Sequence, residues 1–356
     1  MKSVFVDKIA SVAQHSNLSQ ELRLSADIPC EEGILVAAKV MNNKTRYNQL
    51  ELTSGRMATV NQGDVIVGAL GHRKALLGYS GHLPDELDVG STVQILNIGG
   101  VLGICDSLNP EVGAPFDCEV LGTVLHFPYL GERIGVPARV GATKLDADAG
   151  LDTCGVPVVA LAGTCMDSGK TAAACAIVSR LRHLGMQVAA CKATGVALRR
   201  DILAMEDAGA GETMIFSDLG VVTTTAENGP ALTRSLLSSL AATSPDVIVI
   251  ELGDGLLGAY GVEAILTDSA IRKALTAVVL CANDPVAAWG GVRILREQYD
   301  IEPALVTGPA TDNAVGIDQI KDRLSLPAVN ALSNGVALGD AVAIAIGAPL
   351  EEKGES

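Results

Sequence analysis

Basic residues are scarce in this chain, and they are scattered along it. Lys and Arg number 26 against 41 Asp and Glu, which gives a formal net charge of −15. A nucleic acid backbone requires clustered Lys and Arg, so we expect no nucleic acid partner. Aromatic residues make up only 3% of the chain, which leaves few platforms for stacking bases or sugars.

The sequence also lacks long apolar runs. No stretch of eighteen or more apolar residues occurs, and the first residues lack the apolar core and cleavage site of a signal peptide. We therefore expect a cytoplasmic protein without a membrane partner. The eight cysteines include no Cys-x-x-Cys pair, and several lie within apolar runs, so disulfides are not expected.

The most informative segment that is present runs from Gly163 to Thr171. An apolar run at 158–162 precedes it, and residues 171–184 follow with apolar residues at helical spacing. Gly169 lets the backbone approach an anion, Lys170 adds a positive charge, and the hydroxyl of Thr171 can ligate Mg²⁺. The segment therefore predicts a phosphate-binding loop between a buried strand and a helix.

The spacing of this loop differs by one residue from the common G-x-x-x-x-G-K-[ST] pattern, because Thr164 stands where the first glycine belongs. Gly-Thr, four variable residues and Gly-Lys-Thr resemble the loop of dethiobiotin synthetase and its relatives. The resemblance implies that Lys192, at the end of a second apolar run, contacts phosphate and a substrate carboxylate. It also implies that Asp201 binds Mg²⁺ and that Glu251 is the family's glutamate at a strand end.

The resemblance is weaker at the positions that dethiobiotin synthetase uses around its substrate. Met166 and Asp167 stand where dethiobiotin synthetase has Thr and Glu, so synthesis of dethiobiotin itself is not expected. The predicted catalytic residues are Lys170, Lys192 and Asp167. The predicted nucleotide-binding residues are Gly163, Thr164, Ser168, Gly169, Lys170, Thr171, Thr307, Gly308, Asp312 and Asn313.

The same site follows from elementary physics. In parallel sheets ligands collect at the carboxyl ends of strands, and Lys192 and Glu251 each end an apolar run. Mg²⁺ takes one or two carboxylates beside nucleotide phosphates, so Thr171, Asp201 and Glu251 are the predicted metal ligands. Two alternatives stay open: Asp201 could cap a helix over 202–208, and Lys192 could extend its amine to solvent.

The character of the sequence changes near residue 150. We predict a smaller mainly-β domain over 1–128, a barrel or a sandwich, a linker over 129–152, and a P-loop domain over 153–356. Short β-rich runs separated by turn clusters occupy 33–41, 64–70, 74–79, 92–96, 101–105 and 118–125. Candidate helices are 171–184, 229–242, 262–275, 286–299, 317–324 and 336–346. Their alternation with strands predicts a doubly wound parallel sheet, so the fold class is α/β in this half.

Two loops extend the predicted site. Residues 307–313 follow a strand where the resembling family places its base pocket, and Asp312 or Asn313 could read the base. A carboxylate can accept hydrogen bonds from guanine, whereas an amide can pair with adenine. The expected cofactors are therefore ATP, with GTP as the alternative, and Mg²⁺. A polar loop over 211–225 could hold or cover substrate.

These features predict a Mg²⁺-dependent ligase that uses ATP to activate a carboxylate or carbamate, which an amine then captures. The predicted partners are a nucleotide and an anionic small molecule, and we expect a homo-oligomer. A switch or chaperone NTPase acting on a protein or metal cargo is the main alternative. A nucleotide sensor that scarcely hydrolyses is a third class.

Overall fold

A computed structural model describes residues 1–129, 131, 133–141 and 143–350. The chain forms two compact units. The first contains 1–145 together with 196–200 and 216–223, and the second contains 146–195, 201–215 and 224–356. Within the described residues, no helix is both long enough and apolar enough to cross a bilayer.

The first unit is mainly β. Its strands are β1 (Lys2–Phe5), β2 (Lys8–Ile9), β3 (Glu21–Ser25), β4 (Leu35–Val40), β5 (Gln49–Glu51), β6 (Met57–Thr59), β7 (Val65–Leu70), β8 (Arg73–Lys74), β9 (Tyr79–His82), β10 (Thr92–Ile95), β11 (Val101–Leu108), β12 (Asp117–His126) and β13 (Val136–Pro137).

Five of these strands close into a ring, so the predicted barrel or sandwich is a barrel. β12 pairs with β4, β4 with β7, β7 with β11, β11 with β10, and β10 returns to β12. Only the β7–β11 step in this ring is parallel. Each of these five strands therefore pairs with a neighbour on both sides.

The second unit contains one parallel sheet. Its strands are β14 (Val158–Gly163), β15 (Val188–Lys192), β16 (Glu212–Ile215), β17 (Val247–Leu252), β18 (Leu275–Cys281) and β19 (Leu305–Thr307), in the spatial order β16-β15-β17-β14-β18-β19. The helices are α1 (Lys170–His183), α2 (Arg200–Asp207), α3 (Gly229–Ala241), α4 (Val262–Thr267), α5 (Ser269–Ala274), α6 (Pro285–Tyr299), α7 (Ala314–Leu324) and α8 (Gly335–Ala345).

Apolar burial holds this sheet together. β14 and β17 are buried along their whole length, as expected of parallel strands covered on both faces. On one face, Val159 and Leu161 pack with Ile177 and Leu181 of α1 and with Val342 of α8. The predicted doubly wound α/β fold is confirmed, and the sheet places the carboxyl ends of β14, β15, β17, β18 and β19 along one edge.

Three predicted elements differ from the structure. The helix over 262–275 is two helices, because Asp268 ends the first and its side chain accepts hydrogen bonds from Ala270 N and Ile271 N at the start of the second. The run 74–79 is a hairpin of β8 and β9 rather than one strand. The predicted loop over 211–225 contains the edge strand β16.

Candidate nucleotide site

The loop after β14 has the geometry of a phosphate-binding loop. β14 ends at Gly163 and α1 begins at Lys170, so the loop joins a buried strand directly to a helix. Gly169 has φ +87°, a conformation that glycine adopts without steric cost. Asp167 is exposed and also has a positive φ, 56°, which bends the backbone into a concave turn.

The backbone donors of this turn are available to a ligand. Within the described part of the chain, the N–H groups of residues 166–171 donate no hydrogen bond to another protein group. Neighbouring segments hold the loop in place through two backbone hydrogen bonds. Thr164 N donates to Cys281 O of β18 at 2.9 Å, and Leu256 N donates to Gly163 O at 2.8 Å. A row of unpaired N–H groups at a helix start can bind an anion.

Lys170 lies folded over the loop. Its Nζ donates to Cys165 O at 2.9 Å, Asp254 O at 2.5 Å and Ser168 Oγ at 3.3 Å. A Cβ on Gly163 would lie only 2.6 Å from this Nζ, so the glycine is required for the lysine to occupy its place. All three acceptors are neutral oxygens, so no carboxylate among the described residues forms a hydrogen bond with this ammonium.

A charged cluster lies beside the loop. Thr171 Oγ1 donates to Glu251 Oε2 at 3.1 Å, and Lys192 Nζ forms a close ion pair with Asp201 Oδ2. Lys192 and Glu251 occupy paired positions on the neighbouring strands β15 and β17, which puts their side chains on the same face. Two of the predicted metal ligands thus lie beside Lys192, Asp201 through an ion pair and Glu251 on the neighbouring strand, and the third, Thr171, is hydrogen-bonded to Glu251.

Burial raises the pKa of Glu251 because a charged carboxylate is poorly solvated inside the protein. Lys192 opposes this shift most strongly, while the charge of Asp201 adds to it. The carboxylate therefore depends on nearby cations for its charge, and a divalent cation would stabilise it further.

The donor set fits Mg²⁺ bound together with phosphates. Because the Thr171 hydroxyl donates its hydrogen bond to Glu251, its oxygen keeps lone pairs that a cation could use. No group of three His, Cys, Asp or Glu side chains among the described residues could hold a metal without help. Mg²⁺ keeps several of its waters and binds phosphate oxygens, so it suits this site better than a metal ion that needs protein ligands on every side.

The predicted base-binding residues follow β19. Gly308, with φ +92°, approaches the phosphate loop so closely that a Cβ would lie 2.3 Å from Ser168 O. The Asp312 carboxylate accepts from Asn330 Nδ2 at 2.9 Å, and Asn313 caps α7 by accepting from Val315 N and Gly316 N. Gly308 is thus positioned by the loop, whereas Asp312 and Asn313 already have local partners.

Three buried hydroxyls lack hydrogen-bond partners in the described residues, and two of them lie at the predicted site. These two are Thr307 Oγ1 at the end of β19 and Thr164 Oγ1 in the phosphate loop. A buried hydroxyl without a partner costs free energy of about 1–3 kcal/mol, and a bound polar ligand would recover it. Both threonines were predicted to bind nucleotide, and both belong to strand ends at the edge described above.

Asp254 is a site residue that the sequence flagged only as part of a glycine-rich turn. It has φ +69°, and its carbonyl oxygen is the acceptor nearest to Lys170 Nζ. Burial raises the pKa of its carboxyl, while Lys170 acts in the opposite direction. The run Gly253-Asp254-Gly255 directly after a strand-end acid was the signal that marked this position.

Comparison with known proteins leaves the family open. No family model matches the chain, and no curated protein is similar to it. Among solved structures it resembles chloroplast FtsY from Physcomitrella patens at 16% identity, covering 57% of this chain and 68% of that one, with a TM-score of 0.39.

Two further structures are similar at the same level. A DUF1611 family protein from Anabaena variabilis shows 16% identity over 56% of this chain and 62% of that one, less than two thirds, with a TM-score of 0.39. Hydrogenase maturation factor HypB from Archaeoglobus fulgidus shows 12% identity over 54% and 91%, with a TM-score of 0.37. Scores of this size support no transfer of function, so the interpretation rests on the geometry of the loop.

Proposed function

We propose that the second unit binds a nucleoside triphosphate with Mg²⁺ and transfers its terminal phosphoryl group. The observation that carries this proposal is the turn of unpaired N–H groups at 166–171 with Lys170 folded over it. Phosphoryl transfer needs little covalent chemistry from the protein, so positioning and charge neutralisation suffice. This site offers both.

Each residue of the cluster has a distinct part in this proposal. The loop N–H groups and Lys170 hold the phosphates, and Thr171, Asp201 and Glu251 hold Mg²⁺, which would neutralise charge on the phosphate oxygens. Lys192 is buried at the adjacent strand end and ion-paired with Asp201. If Mg²⁺ takes Asp201 as a ligand, this ion pair weakens, and the ammonium of Lys192 could then also contact the transferred group or an anionic acceptor.

We propose further that ATP is the donor and that a carboxylate or carbamate oxygen attacks its γ-phosphorus, with ADP as the leaving group. An amine would then attack the carbonyl carbon of this mixed anhydride and release inorganic phosphate. The presence of a second buried lysine supports this, since a lysine at β15 can serve an acceptor that a pure nucleotide switch does not have. Asp167, exposed on the loop, is the proposed contact to that acceptor.

A nucleotide-driven switch is the second candidate. Residues 196–200 and 216–223 belong to the first unit, although they follow β15 and β16 of the second. Arg200 and Asp201 are consecutive in α2, so the predicted Mg²⁺ ligand is covalently joined to a segment of the other unit. That connection favours coupling between nucleotide state and the barrel.

One assay separates these functions. Phosphate release is measured with ATP and with GTP, each alone and with a panel of small carboxylic and amino acids. A ligase releases phosphate only with its acceptor, a switch does so slowly without one, and a sensor binds nucleotide with almost no turnover. Failure to bind either nucleotide would overturn the proposal, and slow turnover that no acid stimulates would overturn the ligase in favour of the switch.

A further inference from the structure

The first unit contains a cavity of about 500 Å³ that the nucleotide chemistry does not use. Two loops line it, residues 42–46 after β4 and residues 110–114 before β12. Asn42 joins these loops, because its Nδ2 donates to Pro115 O at 3.2 Å and its Oδ1 accepts from Asp117 N at 2.9 Å. The walls are therefore fixed by side-chain hydrogen bonds.

Lys44 lines this cavity and is surrounded by aromatic rings. Its Nζ lies 5.0 Å from the ring centre of Tyr79, 5.5 Å from that of Phe116 and 5.8 Å from that of Tyr47. The chain has only four Phe, five Tyr and one Trp, so three rings around one lysine are a marked concentration. Aromatic faces attract a cation but do not neutralise it.

The Lys44 ammonium retains donors for a ligand. It donates one hydrogen bond to Tyr79 Oη, which in turn donates to Gly113 O at 3.1 Å. Burial raises the pKa of Tyr79 to about 12, so this hydroxyl stays neutral. Among the described residues no carboxylate forms an ion pair with Lys44, and an ammonium has three N–H groups in all.

Burial lowers the pKa of Lys44 because a charged amine loses solvation there. Arg73 lies near the same rings, 94% buried, and donates to Tyr47 Oη at 2.9 Å and to Leu96 O without a carboxylate partner in the described chain. Lys44 and Arg73 are thus two poorly solvated cations whose neighbours are aromatic rings, a tyrosine hydroxyl each and a backbone carbonyl, all of them neutral. Such a site is stabilised by an anion.

We propose that this cavity binds a small organic molecule carrying one carboxylate group, which pairs with the ammonium of Lys44. Two cations, Lys44 and Arg46, and one carboxylate, that of Glu111, line the cavity. The lining thus has one positive charge in excess, which matches a ligand with a single negative charge. Arg46 is held at the rim by a 3.3 Å bond from its Nη1 to Glu111 O, with its other donors left for the ligand. This inference does not depend on nucleotide binding in the second unit.

The test uses benzoate and acetate as probes, with benzamide and acetamide as neutral counterparts. The lysines of the chain are labelled with ¹³C at Cε, and the Lys44 Cε signal is followed in NMR titrations without nucleotide. We expect a saturable shift, and a rise in the pKa of Lys44, with at least one carboxylate and with neither amide. Lys39 on β4 is exposed and serves as the internal control.

Three variants complete the test. Lys44→Met should weaken carboxylate binding by about tenfold or more, as expected for loss of a charge-assisted hydrogen bond, whereas Lys39→Met should leave it unchanged. Should Lys44→Met not fold, Arg46→Gln replaces it, with a weaker loss expected. The proposal is overturned if neither carboxylate shifts the Lys44 signal at millimolar concentrations, or if Lys44 and Lys39 respond alike. It is equally overturned if amides bind as well as carboxylates.

Discussion

Lys192 at the end of β15 forms an ion pair with Asp201 in the first turn of α2, and its paired neighbour on β17 is Glu251. One buried cation thus connects two carboxylates that the sequence assigns to a metal. The positive charge of the lysine partly balances these carboxylates. Under the proposed function, Mg²⁺ bound to Asp201 would compete with this ion pair, so Lys192 is the group whose partner would change.

Replacement of Lys192 by Met should therefore affect turnover more than nucleotide binding. We expect kcat to fall by about 10²-fold, the effect of losing one well-placed charged donor in the transition state, while the nucleotide Kd changes little. The measurement is acceptor-stimulated against basal phosphate release, with Lys321→Met, an exposed position on α7, as control. A proportionate loss of both rates would contradict the ligase and favour the switch.

Asp201→Asn and Glu251→Gln should each raise the Mg²⁺ concentration needed for half-maximal turnover. The expected increase is about 10- to 100-fold, the range for loss of an oriented group at a metal site. Asp207→Asn on the exposed side of the same helix is the matched control. Unchanged Mg²⁺ titrations in both site variants would remove these carboxylates from the metal site.

Gly308→Ala should displace the phosphate loop without changing any charged side chain. The added Cβ would lie 2.3 Å from Ser168 O at a residue with φ +92°, so we expect a loss of about 1–3 kcal/mol in unfolding free energy, together with weaker nucleotide binding. Gly290→Ala in α6 is the control, because nothing lies within 4 Å of its Cβ position. Equal unfolding free energies for the two variants would show that the close approach at Gly308 is not needed.

Glu32 should make the stability of the first unit depend on pH. Burial raises the pKa of its carboxyl, partly offset by N–H donation from Thr223 and by His72. Since the pKa is higher in the folded state, this stabilisation is complete below the unfolded pKa and is lost as pH rises through the folded pKa. Denaturation at a series of pH values should show this loss in the native chain.

The variant Glu32→Gln should flatten that part of the pH profile, since an amide does not titrate. Glu31→Gln is the neighbouring control, because Glu31 is exposed and forms an ion pair with Arg139. An unaltered pH profile in Glu32→Gln would show that the raised pKa does not influence stability.

The fold of the second unit could be predicted from the sequence because the patterns that indicate its strands and its loop each lie within a few consecutive residues. The apolar run ending at Gly163, the Gly-Lys-Thr at 169–171 and the strand ends at Lys192 and Glu251 each depend on a few adjacent residues. Closure of the barrel could not be predicted, because β10 pairs with β11 and β12 through register set by tertiary structure. The rings around Lys44 likewise come from positions 47, 79 and 116, whose spacing indicates nothing by itself.

Under the proposed function, the loop from Gly163 to Thr171 binds the phosphates of a nucleotide. The most direct test of this claim is calorimetric titration of Mg-ATP and of Mg-GTP into the native chain, Lys170→Ala and the surface control Lys321→Ala. We predict saturable binding of at least one nucleotide by the native chain and by Lys321→Ala, and its loss in a folded Lys170→Ala. Equal affinity in native and Lys170→Ala proteins would contradict the account.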